Sequence, residues 1–316
     1  MTDKIKFIDL FAGTGGFTEA FKCNDVFECV YANDMIKESK IIYQLNNPNH
    51  LFELKNLHNV NESDIPSHDI LCGGFPCQPF SVAGNLLGFD DERSNVFWKI
   101  IKIIKFHSPK VIILENVKNL LSHDKGNSFK IIKENLEKLD YFVKYCVLDT
   151  SKITHIPHHR ERIYILCFKD KKIYDKFNFD FTPIESSNMK TFLENNIDDK
   201  YYYTNRFKMF DTIKQNVTKH DVLYQYRRHY VRENKSGCCP TLTCNMGSGG
   251  HNVPLLLDDK GIRKITPREC FNFQGFPSSY KLPNLSDSAL YKLAGNAISV
   301  PVVKLLVDRL LNSIFD

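Results

Sequence analysis

Lys4-Ile5-Lys6-Phe7-Ile8-Asp9-Leu10 runs directly into Phe11-Ala12-Gly13-Thr14-Gly15-Gly16-Phe17, and this junction decides the fold. Ile5, Phe7 and Ile8 make this a short β-branched and aromatic run, as a strand favours, and it closes on the carboxylate Asp9 and Leu10. The Gly-x-Gly-Gly turn follows, and an amphipathic stretch opens at Phe17–Phe21. Strand, glycine turn, helix is a nucleotide-type signal, because glycines let the backbone approach a ligand and a helix start favours polar or anionic groups. The full dinucleotide pattern is absent, since residue 18 is Thr where a third Gly would stand. Asp34, at the end of the next strand-like run, is placed for ribose hydroxyls. From these features alone a second reading stays open: a tight turn, with Asp34 as a helix N-cap.

Outward from this junction the chain alternates. Phe27–Ala32 reads as a strand and Ile36–Leu45 as a helix. Asp69–Cys72 is a third strand, opening into a long loop, Gly73–Ser94. Val96–Phe106 carries apolar residues at helical spacing, and Val111–Leu114 is a buried-type strand ending at Glu115. A helix at Phe129–Leu139 and strands at Tyr141–Leu148 and Arg162–Phe168 complete the series. Such alternation predicts an α/β fold with a doubly wound, mostly parallel sheet. From about Lys169 the periodicity weakens. Residues 181–265 are read as a smaller, irregular domain, 266–289 as a hinge, and 1–180 with 290–316 as the larger domain. Asn296–Ile314 is expected to form one helix.

The chain has 316 residues, 42% hydrophobic and 25% charged, which excludes wholesale disorder. The aliphatic runs are only a few residues long, so no membrane span is expected. The ten Cys are sparse and irregularly placed, and no export signal is seen, so reduced thiols in the cytoplasm are expected. The net charge of +5 is unevenly distributed: −3 over residues 1–150, +6 over 151–240 and +2 over the remainder. A local basic excess points to a phosphate-bearing partner or to a solvated lysine-rich surface.

Two further segments carry chemistry. Gly74-Phe75-Pro76-Cys77-Gln78-Pro79-Phe80-Ser81 follows the third strand, in the position from which open α/β sheets build their sites. A thiol there is placed as a nucleophile, which needs an electropositive or desolvated setting. Cys23, Cys29, Cys72, Cys146 and Cys167 read instead as inert, small hydrophobes. Glu115-Asn116-Val117 ends another strand, and His158-His159-Arg160-Glu161-Arg162 leads into a third. One thiol, one carboxylate and one or two guanidiniums at strand ends make a nucleophile, an acid and an anchor.

Together these segments resemble the cytosine-C5 DNA methyltransferases of bacterial restriction-modification systems. The resemblance runs over nearly the whole chain: FAGTGGF at 11–17, GFPCQPFS at 74–81, GFDDERSNVFW at 88–98, ENV at 115–117, RERIYIL at 160–166, TPRECFNFQGFP at 266–277 and AGNAISVPV at 294–302. It implies the S-adenosylmethionine-dependent methyltransferase fold. The cofactor residues would be Phe11, Ala12, Gly13, Gly15, Gly16, Asp34, Met35, Asn56, Leu57, Pro76, Val96, Asn296 and Ile298. It implies Cys77 as the nucleophile at cytosine C6, Glu115 on N3 and the exocyclic amine, Arg162 on the base oxygen and Arg160 assisting near Cys77. The cytosine would be flipped out of duplex DNA, with the loop from Phe80 to Ser94 closing over it. The middle segment becomes a target-recognition region, with Ser81, Arg227, Arg228, Arg232, Thr241, Gly249 and Gly250 as DNA contacts. A cognate endonuclease is a possible partner, no membrane partner is expected, and the expected state is a monomer. Cys238, Cys239 and Cys244 near His251 lack a C-x-x-C pair, so no metal is expected.

Three positions depart from the family pattern. Asn56 stands where an acidic cofactor contact is common, His158 replaces a Gln, and Ala83 sits where some relatives carry a polar residue. The rival readings are a tRNA cytosine methyltransferase on the same scaffold, a non-catalytic DNA-binding protein and a nicotinamide oxidoreductase. The nearest thing to the tRNA branch's Cys-Phe-Thr is Cys270-Phe271-Asn272, which favours DNA.

Overall fold

The computed structural model describes residues 4–76, 96–227, 230–248 and 252–315. Cys77, Ser81, Ala83, Arg228, Gly249 and Gly250 therefore lie outside the described residues. Packing divides the chain into two units, Met1–Leu148 with Glu161–Asp180 and Val303–Asp316, and Asp149–Arg160 with Phe181–Val302.

The first unit is built on a sheet of seven strands: β1 (Ile5–Leu10), β2 (Phe27–Asp34), β3 (Phe52–Leu54), β4 (Ile70–Gly74), β5 (Val111–Val117), β6 (Phe142–Asp149) and β7 (Glu161–Phe168). Their order is β3-β2-β1-β4-β5-β7-β6. β1 to β5 pair in parallel, and β7 runs antiparallel to β5. The order reverses between β1 and β4, and at such a switch point the strand C-termini leave a crevice for a ligand. Phe7, Ile8, Asp9 and Leu10 are all buried, so both faces of β1 are covered, as in a doubly wound sheet. The sequence pattern placed every strand except β3, whose three residues are too few to show a period.

Helices α1 (Gly16–Phe21), α2 (Lys37–Asn46), α3 (Phe97–His107) and α4 (Asn127–Glu137) follow their strands. On α3, Phe97, Ile100, Ile103 and Ile104 recur at helical spacing and are fully buried with Ile8, Leu71, Ile112 and Ile165 of the sheet. Thr18 explains the missing third glycine. Its hydroxyl donates to Asp9 Oδ2 at 2.8 Å and lies 2.9 Å from the Tyr43 hydroxyl, so polar bonds join strand to helix where a glycine would have allowed close packing.

The second unit takes in α5 (Thr150–Ile153), while α6 (Lys171–Lys176) belongs to the first unit. The segment expected to be irregular holds α7 (Phe210–Asn216) and a second sheet. The strands are β8 (Tyr224–Arg227), β9 (Tyr230–Glu233), β10 (Leu255–Leu257) and β11 (Ile262–Lys264), in the order β11-β10-β8-β9. Strands of three or four residues cover about one period of alternation each, which hid them in the sequence. α8 (Pro267–Phe273) opens with a capping box: Thr266 accepts from Glu269 N, and Glu269 accepts from Thr266 N at 2.7 Å. Glu269 also takes both terminal nitrogens of the buried Arg263 at 2.8 Å, so the carboxylate of the TPREC motif is structural.

The single helix expected over Asn296–Ile314 is corrected: α9 (Asp287–Asn296) ends at Asn296, and α10 (Val300–Phe315) begins only at Val300. Pro301 lacks an N–H and suits a first helical turn, so the chain breaks before it. Asp287–Ile314 is apolar and long enough to pass for a membrane span by composition, which the short aliphatic runs had concealed. Its apolar window is 72% buried within the protein, however, as a core segment is.

Candidate active site

In the first unit the glycine turn and Asp34 form one construction. Phe11, Gly13 and Gly15 all take positive φ, at 56°, 52° and 73°. For Phe11 that is strained backbone, held at a strand end where sites collect such strain. A Cβ on Gly15 would stand 2.9 Å from the Tyr43 ring, so no side chain fits there. Asp34 Oδ2 accepts from Gly13 N at 2.9 Å, and Oδ1 accepts from Ile36 N at 2.8 Å. The carboxylate therefore ties the turn to the start of α2, and burial pushes its pKa up. Asn33 donates to the carbonyls of Glu53 and Lys55 at 3.0 and 2.9 Å, which fixes the chain leading to Asn56 and Leu57. Asn56 is exposed and accepts from His58 N, Leu57 is buried, and Met35 is 65% exposed beside Asp34.

The second cluster of this unit lies where β4, β5 and β7 pair. Glu115 stands opposite Gly74 on one side and Tyr164 on the other. Arg162 lies opposite Val117, and its Nε is 3.1 Å from Glu115 Oε1. The pair is ionic without being a hydrogen bond: Glu115 Oε1 is buried and, among the described residues, accepts none. Arg162 Nη1 donates to the Glu161 carbonyl at 2.8 Å, which fixes the guanidinium plane. Asn116, to which the motif assigns no role, donates from Nδ2 to the Phe75 carbonyl at 3.0 Å and accepts from Val117 N at 2.8 Å. It thus fastens the chain just before Pro76 and Cys77 to the end of β5. Nothing in the sequence marks that bond, because its ends are 41 residues apart. Val96 is buried at the start of α3, and Pro76 is exposed.

The remaining candidates belong to the second unit. His158 is fully buried; its Nδ1 pairs with the Phe273 carbonyl at 3.0 Å and its Nε2 accepts from Leu242 N at 3.3 Å. Those partners set the tautomer: Nδ1 carries the proton. A Gln offers the same single donor and single acceptor, so this departure preserves the bonding. Arg160, 3% exposed, donates to the Leu242 carbonyl at 3.1 Å and the Ala297 carbonyl at 2.6 Å. Thr241 donates to the His159 carbonyl at 2.6 Å. These bonds gather the Thr-Leu pair, the end of α8 and the break between α9 and α10 around residues 158–160. Thr243 O would lie 2.1 Å from a Cβ on Gly295, so this helix accepts only glycine there. Asn296 is exposed and Ile298 is buried. Thr241 shares a cavity of about 450 Å³ with Arg227 and Arg232.

Burial raises the pKa of Cys23 and Cys29 to about 11 and those of Cys72, Cys146, Cys167, Cys239 and Cys270 above the ordinary thiol value. These thiols stay protonated and unreactive at neutral pH.

The family model of C-5 cytosine-specific DNA methylases matches residues 5–312. The chain belongs to that family. The Type II methyltransferase M.Bsp6I of Bacillus sp. is 45% identical over 98% of this chain and 99% of its own length. M.HaeII of Haemophilus aegyptius, also a Type II methyltransferase, is 39% identical over 98% of this chain and 93% of its own. Among solved structures, the DNMT2 of Spodoptera frugiperda has the same fold, with a TM-score of 0.76 at 22% identity, covering 98% of this chain and all of that one. The reaction of this methylase is therefore transfer of a methyl group to cytosine C5 in DNA, and its fold is that of the S-adenosylmethionine-dependent methyltransferases. The relatives do not favour the tRNA alternative.

Proposed function

We propose that this methylase modifies one cytosine within a short duplex DNA site, with Cys77 as nucleophile and the Glu115–Arg162 pair holding the base. The observation that carries the reading is the buried Oε1 of Glu115, placed at paired strand ends with no hydrogen bond from the described residues. Cytosine offers what that oxygen needs, an exocyclic amine, and thymine does not. The same carboxyl also hydrogen-bonds N3, stabilising the charge that develops there. Arg162 is oriented by Glu115 and takes the base oxygen. Attack of the Cys77 thiolate at C6 forms a C–S bond and turns C5 into an enamine-type carbon. After C5 has been alkylated, its proton leaves and β-elimination returns the thiol. The base must leave the duplex stack for any of this to occur. Asn116 sets the position of the chain that presents Cys77.

S-adenosylmethionine supplies the sulfonium methyl. The first unit fits such a group: an open glycine turn closed to side chains, a buried carboxylate at the end of β2 and an exposed Met35 to cover an adenine. Phe11, Ala12, Gly13, Gly15, Gly16 and Asp34 would hold the ribose and amino-acid end. Met35, Asn56, Leu57, Pro76 and Val96 would enclose the remainder, and Asn296 and Ile298 are cofactor contacts by family resemblance alone. Asn56 contributes a neutral contact, so the adenine amine is held without charge.

The second unit supplies target recognition, with the segment that includes β8–β11 as the reader and Thr241, whose hydroxyl would turn from the His159 carbonyl, on a backbone phosphate. Arg160 serves chiefly as a strut for the Thr-Leu pair. Ser81, Gly249 and Gly250 remain DNA contacts from the motif alignment. The protein acts in the cytoplasm, as a monomer, beside an endonuclease directed at the same site. The test is expression in a host lacking such methylation, followed by bisulfite mapping. One modified motif is expected, and Cys77→Ala should abolish it while DNA binding persists. Methyl transfer to tRNA and not to duplex DNA would sink the proposal.

A further inference from the structure

We infer that the outward face of the β8–β9 ribbon reads the bases of the target site, and that Arg227 and Arg232 each take one guanine. This inference rests on the DNA-methylating reading above and specifies its reader.

The register divides the ribbon into two faces. Tyr224 stands opposite Glu233, Gln225 opposite Arg232, Tyr226 opposite Val231 and Arg227 opposite Tyr230. Opposed residues share a face, and alternate residues along a strand do too. Tyr224, Tyr226 and Val231 pack into the small core of this unit. The other face presents Gln225, Arg227, Tyr230 and Arg232, of which only Gln225 is partly covered. Every side chain on it carries a donor. Glu233, the ribbon's one acid among the described residues, lies on the packed side and pairs with Lys219 at 3.0 Å. Among the described residues neither arginine forms an ion pair, so two guanidiniums stand two cross-strand positions apart without neutralisation.

That arrangement suits a polyanion, and its dimensions suit the major groove. Four residues of strand span roughly 14 Å, and the groove, about 12 Å wide, admits a two-stranded ribbon. The same cavity of about 450 Å³ joins this face to Thr241, the proposed phosphate contact, so reader and anchor share one surface. Orientation separates base reading from phosphate binding. Arg227 Nη2 donates to Gln225 Oε1 at 3.1 Å, which fixes the plane of the guanidinium. A phosphate needs charge, whereas O6 and N7 of guanine need a planar fork held in register.

Methylation rates on a pool of duplexes randomised around the target cytosine, read at several salt concentrations, test this. Wild type should show a motif with guanine at two or more positions. Arg232→Lys and Arg227→Lys keep the charge and lose the fork. Each should lower discrimination for guanine at one position by about 10- to 100-fold, with the salt slope nearly unchanged. Gln225→Ala should weaken the same position as Arg227→Lys. All three side chains are surface groups, and matching thermal melts will show that the variants are folded. Uniform losses across all sequences, or unchanged discrimination, would overturn the guanine assignment while wild-type methylation of a defined motif leaves the parent reading standing. Failure of wild type to methylate any duplex would overturn both.

Discussion

Asn116→Asp is the sharpest probe of how the Pro-Cys turn is held. The substitution is isosteric, and Oδ1 still accepts from Val117 N. The atom 3.0 Å from the Phe75 carbonyl changes from a donor to an ionised oxygen. Asn116 is 2% exposed, so the carbonyl has no water to replace the bond. A buried acceptor left without its donor costs about 1–3 kcal/mol. If the chain yields to relieve it, Phe75 moves, and so does the lead into the segment that carries the proposed nucleophile. The cost then falls on the chemical step as a drop in kcat of roughly 5- to 150-fold, with the KM for S-adenosylmethionine little changed. The loss should depend on pH. A neutral aspartic acid donates from its O–H and restores the bond, and burial raises its pKa. The ratio of variant to wild-type kcat should therefore climb as pH falls from 8 towards 6. Single-turnover methyl transfer on a defined duplex measures it. A kcat within twofold of wild type, or a deficit that is flat with pH, would refute the positioning argument.

Other outcomes follow from the same geometry. His158→Gln keeps one donor and one acceptor and should leave the melting temperature within a few degrees, whereas His158→Leu orphans Phe273 O and Leu242 N and should cost about 2–5 kcal/mol by denaturant unfolding. Arg160→Lys reaches one carbonyl of two; a thermal melt should show a loss of several degrees, while an unchanged melt with lost activity would return Arg160 to the chemistry. Burial raises Asp9 to a pKa of about 7 from its ordinary 3.8, so the folded state holds a proton that the unfolded chain releases, and stability drains away as pH rises from about 4 to about 7. Asp9→Asn should remove that slope, so its melting temperature should gain on wild type at pH 8 and not at pH 5.

The parts legible in the sequence were those with local signals. The glycine turn, the carboxylates at strand ends and the alternation of β1 to β7 all follow from residues close in the chain. β3 and the second sheet were hidden, since strands of three or four residues owe their pairing to neighbours far away. The break at 297–299 was masked by apolar residues continuing through it. The motif points Arg160 towards the chemistry and is silent on its bonds to the backbone. Those bonds, to Leu242 and Ala297, span 82 and 137 residues, beyond any pattern rule. Asn116 was quoted within a motif and given no function, because its partner is a backbone carbonyl with no sequence signature.

The division of the chain has a bearing on its synthesis. Val303–Asp316 packs with residues that begin at the N-terminus, and the chain changes units after Leu148, Arg160, Asp180 and Val302. Neither unit is a continuous piece that a ribosome can release to fold by itself. The sheet holding Glu115 and Arg162 is fully translated by residue 168, yet its unit waits for the last helix of the chain. The second unit is therefore complete in sequence only after Val302, and the first only after α10. A nascent chain lacking α10 leaves uncovered the apolar surface against which Val303, Leu306, Val307 and Leu310 are buried in the finished protein, and chaperone dependence should be set by how long that interval lasts.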